Sequence, residues 1–132
     1  MAENENLKTL MAVLDGFNRN DIEAAARGLA EDVVYIIRGR SPVSGTYRGR
    51  QEFADVLRRI KHMTDGTMAG KPEVVLADGD DVMMFMHVTG ARPDGRRYDN
   101  DQAYLYRFRE GKLAEGQTIP VDQHAFEEFL AD

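Results

Sequence analysis

The chain has 132 residues, with 17 basic and 23 acidic side chains and a formal net charge of −6 at pH 7. That length is typical of one domain, and 42% hydrophobic with 30% charged residues is typical of a folded globular protein, not a disordered one. The negative charge disfavours a non-specific nucleic-acid-binding protein. The absence of cysteine excludes disulfides, thiolate catalysis and zinc sites built on sulfur.

The sequence predicts neither a membrane span nor a secretory signal. No apolar stretch approaches the roughly 18 residues that cross a bilayer. The segment Met1–Glu5 is acidic, whereas a secretory signal begins with basic residues. Because the lack of cysteine also fits a reducing compartment, we expect a cytoplasmic protein without membrane contact.

The first half of the chain predicts three helices and a strand. Apolar residues recur at helical spacing in two segments, and a β-branched, aromatic run lies between them. The segment Asn20–Glu23 offers a cap with a glutamate three residues on, which opens the middle helix. The predicted elements are a helix over about 3–18, a helix from Asn20 to about Leu29, a strand over 33–37, a loop over 39–49 with a short strand at 46–48, and a helix over about 50–63.

The second half of the chain predicts four strands joined by three hairpins. Turn residues separate each strand from the next, and Asp122 stands where a cap would open a final short helix that contains Phe126, Phe129 and Leu130. No linker or repeat interrupts the chain, so we predict one α+β domain over 1–132. The predicted strands are Val74–Leu76, Val82–Thr89, Arg97–Phe108 and Leu113–Ile119.

The segment Val82–Met86 is apolar at both odd and even positions. Since side chains alternate between the two faces of a strand, the sheet face away from the helices is also apolar. A second copy across a two-fold axis is the commonest partner for such a face. We therefore predict a homodimer.

Three segments carry a resemblance to a known superfamily. Tyr106–Leu113, Phe17–Ala24 and Leu29–Val33, together with the order of elements, resemble the nuclear transport factor 2-like superfamily, and within it the SnoaL-like proteins and relatives of ketosteroid isomerase. The resemblance covers nearly the whole chain. It implies a cone-shaped, curved antiparallel sheet packed against three helices of the N-terminal half, with a short C-terminal helix. The superfamily includes isomerases, cyclases, dehydratases, epoxide hydrolases and proteins without catalytic activity.

The residues of the isomerases do not carry over to this chain. Their general-base aspartate corresponds to Ile37, their oxyanion tyrosine to Val13, and their protonated aspartate to Tyr104. Isoleucine cannot accept a proton, so the resemblance does not imply steroid-type isomerisation by that mechanism.

The resemblance to SnoaL-like cyclases implies a different pair of catalytic residues. Asp122 resembles their acid/base aspartate in position, and Tyr104 would donate a hydrogen bond to a substrate oxygen. Each residue also has a structural interpretation, because Asp122 is placed to cap the last helix and Tyr104 to bond a neighbour.

The same register predicts an apolar and aromatic cavity with a few amide and phenol groups. This composition is typical of a small-molecule site, and buried amides argue against a merely structural core because they need partners. Filling a core nevertheless remains the alternative for these side chains. The predicted pocket residues are Val13, Phe17, Tyr35, Ile37, Asn100, Gln102, Tyr106 and Phe108.

The sequence predicts neither a metal site nor a bound cofactor. The three histidines show no paired spacing, and His87 is interpreted as a core or interface residue. Asp99 and Asp101 share a strand face opposite to that of Tyr104. We expect them in solvent or at an interface, paired with Arg96 or Arg107.

Two functions follow from these observations. One is a pocket for a small, apolar, oxygen-bearing molecule that undergoes cofactor-independent proton transfer, as in an isomerase, cyclase or lyase. The alternative is a noncatalytic ligand-binding or dimeric assembly domain on the same scaffold. Nucleic acid is not an expected partner of either.

Overall fold

The structure, a computed structural model, describes residues 2–132. These residues form four helices and six strands, which follow one another in the order that the sequence predicts. They are α1 (Ala2–Asn18), α2 (Ile22–Ala26), β1 (Leu29–Ile37), β2 (Gly45–Arg48), α3 (Arg50–Met63), β3 (Ala69–Asp78), β4 (Asp81–Ala91), β5 (Arg97–Arg109), β6 (Lys112–Pro120) and α4 (Gln123–Leu130).

The six strands form one sheet in the order β2-β1-β6-β5-β4-β3. Strands β3 to β6 form the predicted antiparallel meander, and β2 pairs antiparallel to β1. Only β1 and β6 run parallel within this sheet, which is possible because the long connection between them includes α3 and the meander. The predicted α+β fold class is confirmed.

Two elements differ from their predicted bounds because of contacts distant in sequence. Helix α2 ends at Ala26, and β1 already begins at Leu29, which is fully buried and pairs with Leu113 of β6. Strand β3 begins at Ala69, five residues before the predicted Val74, because its first residues pair with β4. The register shifts after Pro72, a residue that has no N–H to donate to a ladder.

Helices α1 and α3 cover the concave face of the sheet, and α4 packs against β5 and β6. Inner-face side chains of β4, such as Met84 and Met86, are at most 5% exposed. Phe53 of α3 stacks on Tyr35 of β1 with ring centroids 4.1 Å apart. This layer of helix on sheet forms the core and leaves the opposite sheet face uncovered.

Among the described helices, none is both long and apolar enough to cross a membrane.

Candidate functional site

A cavity of about 110 Å³ lies between the concave sheet face and helices α1 and α3. Five strands contribute to its wall, and the lining residues of β1, β4 and β5 alternate along each strand, because only every second side chain of a strand points inward. Seven of the predicted candidates line it, and they are Val13, Phe17, Tyr35, Ile37, Gln102, Tyr104 and Tyr106. Further lining residues, which the sequence analysis did not select, include Phe53, Leu57, Met68, Met84, Met86, Val88 and Thr118.

Three predicted candidates do not line the cavity. Phe108 has the predicted inward orientation but is 2% exposed and packs in the core beyond the cavity. Asn100 also faces inward, and its side chain bonds to the main chain of Asp122 and to Tyr98. These positions share the parity of Tyr104, but β5 extends past the cavity at both ends.

Asp122, the third of these residues, lies at the N-terminus of α4. Its Oδ1 accepts a hydrogen bond of 2.9 Å from the Ala125 N–H, so the side chain is the N-cap of that helix. The carboxylate is exposed. This placement fits the capping interpretation and not an acid/base that reaches a molecule inside the cavity.

The polar groups of the cavity wall are uncharged at neutral pH. Tyr35 Oη and Thr118 Oγ1 lie 2.6 Å apart. Burial raises the pKa of Tyr35, and it raises those of Tyr104 and Tyr106 well above the usual phenol value. These phenols therefore remain protonated hydrogen-bond donors. No Asp, Glu, His, Lys or Arg is among the described residues that line the cavity.

Gly116 allows two of these tyrosines to lie side by side. It pairs with Tyr106 on β5 and with Tyr35 on β1. A Cβ atom at this position would lie 2.6 Å from Cε2 of Tyr35 and 3.1 Å from Cδ1 of Tyr106. The glycine thus gives the two rings the space that they occupy at the cavity wall.

Lys61, whose burial the sequence did not predict, lies directly behind the cavity wall. The residue is 7% exposed, and its Nζ donates to the Met68 carbonyl and lies 4.1 Å from the ring centroid of Phe17. Burial lowers the pKa of Lys61 to about 8. Helical periodicity gave no signal for this burial, because the long side chain reaches across to the end of α1.

A polar cluster on the outer sheet face differs from its predicted pairing. His87 bridges Asp99 at 2.8 Å and Asp101 at 2.9 Å, whereas we expected Arg96 or Arg107 as the partners of these aspartates. The hydrogen bond to Asp101 is the main cause that raises the pKa of His87. Its side chain is 41% exposed, so the histidine is not a core residue of this chain. The direct register of His87 with Asp101 across β4 and β5 explains the contact.

The outer face also carries exposed apolar side chains. Its most exposed hydrophobic side chains lie on β3, β4 and β6 and on the residue after β6, and they are Val74, Leu76, Met83, Ile119 and Val121. The double-sided apolar pattern of β4 predicted such a face.

Among residues 2–132 no group of three or more acidic or histidine side chains is arranged to hold a metal ion.

Helices packed on the concave face of a curved sheet, with a cavity between the two layers, form the fold of nuclear transport factor 2-like proteins. Solved structures of such proteins from Burkholderia species share this fold, with TM-scores from 0.80 to 0.87. Within that class, residues 10–116 match the model of the SnoaL-like domain. The chain belongs to the SnoaL-like family, as its sequence motifs indicated.

Individual relatives resemble the chain over almost its full length. An uncharacterized protein of Mycobacterium tuberculosis is 24% identical over 131 residues, which are 99% of this chain and 100% of the relative. The structure of Bal32a from a soil-derived mobile gene cassette has a TM-score of 0.93 and 24% identity, and covers 98% of this chain and 99% of its own. TerC, co-crystallized with polyporic acid, has a TM-score of 0.85 and 25% identity, and covers 96% of this chain and 98% of its own.

Proposed function

We propose that this protein binds a small, uncharged, oxygen-bearing ring compound in the cavity between the sheet and helices α1 and α3. The observation that carries the proposal is a cavity whose wall combines apolar side chains with protonated phenols. Apolar walls with a few fixed polar groups are typical of small-molecule sites. The missing charges disfavour a nucleotide or any other multiply charged ligand.

The size of the cavity sets the size of the ligand. Its volume is about 110 Å³, and an apolar cavity of roughly 150 Å³ engineered in another protein holds benzene. Because this cavity is smaller, an unsubstituted single ring is about the largest compound that fits without enlarging it. Larger molecules require movement of the half-buried side chains Val13, Leu14 or Phe17 on α1.

The chemistry of the wall supports binding better than proton transfer. Proton transfer needs a base that titrates near the working pH and lies within hydrogen-bond reach, and the lining offers only tyrosines with raised pKa values. Asp122 caps α4 outside the lining. TerC, which is similar to this chain, was co-crystallized with polyporic acid, and this supports a cyclic ligand for the shared scaffold.

The methionine methyl groups provide a direct test. Met68, Met84 and Met86 line the cavity, whereas Met83 lies on the outer face and is 45% exposed. The protein labelled with ¹³C at the methionine methyls is titrated with acetophenone, with polyporic acid and with ATP. We expect acetophenone to shift the three cavity methyls and leave Met83 unchanged, and to raise the melting temperature by mass action.

The opposite pattern would overturn the proposal. If ATP raised the melting temperature while neither ring compound shifted a cavity methyl, the cavity would not be the binding site. A shift confined to Met83 would instead place the ring compound on the outer face.

A further inference from the structure

We infer that the main chain of Asp122 fixes the direction of a buried hydrogen-bond chain along β5, and that the cavity therefore selects ligands that present a hydrogen-bond acceptor. The inference rests on the proposed function, because it assumes that the cavity is occupied by a ligand. The hydrogen-bond chain consists of the side chains of four residues that are 3–9% exposed, Asn100, Tyr98, Gln102 and Tyr104.

The four side chains are neighbours because they alternate along one strand. Residues two apart on β5 point to the same sheet face, and all of these face inward. Asn100 Nδ2 lies 2.9 Å from Tyr98 Oη, Tyr98 Oη lies 2.5 Å from Gln102 Oε1, and Gln102 Nε2 lies 2.5 Å from Tyr104 Oη.

The backbone of Asp122 fixes which groups donate and which accept in the hydrogen-bond chain. The Asp122 N–H can only donate, and it faces Asn100 Oδ1 at 3.3 Å, while the Asp122 carbonyl can only accept, and it faces Asn100 Nδ2 at 3.0 Å. An inverted amide would place two donors together and two acceptors together. The Asn100 amide group is therefore held in one orientation, with its nitrogen also directed at the Tyr98 hydroxyl.

Each later bond follows from this first one. Tyr98 accepts from Asn100, so its single proton goes to Gln102 Oε1. The oxygen of Gln102 then faces Tyr98, and its Nε2 donates to the hydroxyl oxygen of Tyr104. The proton of Tyr104 has no acceptor in a further hydrogen bond among residues 2–132. Because Tyr104 lines the cavity, this proton is available to the ligand.

A fixed donor of this kind discriminates between ligands of the same shape. A carbonyl or ether oxygen of the ligand accepts from Tyr104, whereas a hydrocarbon isostere leaves the buried hydroxyl proton without a partner. Asn100, Tyr98 and Gln102 do not need to touch the ligand, and they act as positioning residues for Tyr104. The Asp122 side chain has no part in the chain, since only its backbone atoms contact Asn100.

The test compares two isosteric probes, acetophenone and α-methylstyrene, which differ by the replacement of C=O with C=CH₂. Dissociation constants are measured from the shifts of Met68, Met84 and Met86. We expect the wild-type protein to bind acetophenone about 3- to 10-fold more tightly, as one neutral hydrogen bond provides. Tyr104→Phe should abolish this ratio while α-methylstyrene still binds.

Tyr98→Phe tests the positioning chain itself. Without the Tyr98 proton the Gln102 amide can invert and accept from Tyr104, so the ratio should fall to less than about half of its wild-type value. A merely structural loss would weaken both probes equally and leave the ratio unchanged. Tyr47→Phe is the matched control, because its hydroxyl donates to the Val43 carbonyl away from the cavity.

The outcomes separate this inference from the proposed function. Equal wild-type affinity for the two probes would overturn the inference and leave the ring-binding cavity in place. If neither probe shifted a cavity methyl, both would fail. A ratio that Tyr98→Phe leaves unchanged would overturn the role of the chain, even if Tyr104→Phe abolished the ratio. The comparison of probes on the wild-type protein needs no variant, so a failure of one to fold does not prevent the test.

Discussion

The substitution Val88→Ile should stabilise the protein and weaken ligand binding at the same time. Val88 is 3% exposed on the inner face of β4 and lines the cavity. Its partner on β3 is Gly70, over which the side chains of Met86 and Val88 pack. Isoleucine keeps the β-branched shape that strands favour and adds one methylene that can extend into the cavity.

The magnitude follows from the volume of the cavity. At about 24 cal/mol per Å³, an unfilled volume of about 110 Å³ corresponds to about 2.6 kcal/mol of lost stability. One buried methylene is worth about 0.8 kcal/mol. We therefore expect Val88→Ile to raise the free energy of unfolding by up to about 0.8 kcal/mol and to lower the affinity for acetophenone.

Urea denaturation measures the free energy of unfolding. For Val88→Ile we expect a higher midpoint of urea denaturation and an unchanged slope. Val33→Ile is the matched control. Val33 is also a strand residue, is fully buried, and does not line the cavity, so an added methylene should cost about 1–3 kcal/mol by overpacking. If Val88→Ile destabilised the protein as much as Val33→Ile, the cavity would not be available beside Val88 and the reasoning would fail.

Three further predictions concern the capping aspartate, the outer sheet face and the buried lysine. Asp122→Ala should lower the free energy of unfolding by about 1 kcal/mol, whereas Asp122→Asn keeps the cap; a loss of acetophenone binding in Asp122→Asn at unchanged stability would contradict the capping role. We expect a dimer in sedimentation equilibrium at tens of micromolar and a monomer for Leu76→Glu on the outer face, with Met11→Glu on α1 as the control; a monomeric wild-type protein would refute the dimer. Lys61 has a pKa of about 8 when folded, below its value of roughly 10.4 in an unfolded chain, so the folded state binds fewer protons between these pH values. The free energy of unfolding of the wild-type protein should therefore rise relative to that of Lys61→Met from pH 8 to 10, and a constant difference in urea denaturation would show that Lys61 titrates normally.

Most of the fold could be predicted from short-range patterns. The apolar stripe of α3 and the turn residues of the meander placed these elements correctly, because both signals depend on neighbours along the chain. Strand β1 begins at Leu29 only because Leu113 pairs with it, and a contact between residues so distant in sequence leaves no local signal. The parallel pairing of β1 and β6 was not predicted for the same reason.

The sequence could predict which side chains of β5 face inward, but it could not predict where along β5 the cavity ends. Alternation along β5 correctly assigned Gln102 and Tyr104 to the inner face, but it could not show that the cavity ends before Asn100 and Phe108. The burial of Lys61 was not predictable, because it depends on the position of Phe17 at the end of α1. Periodicity therefore identifies a face, whereas packing between distant elements determines where that face is hollow.

The remaining alternative, that these side chains only fill a core, conflicts with two features found together. A core selected for stability alone would close a volume of about 110 Å³, since a single larger side chain recovers part of the energy. It would also gain little from the buried amide of Gln102 and the hydroxyl of Tyr104, which desolvate polar groups and need partners. Here the polar chain is satisfied from the Asp122 backbone up to the last proton of Tyr104, and that proton belongs to a residue of the cavity wall. The unfilled volume and the available donor thus occur at the same place, which favours a binding cavity over a packing defect.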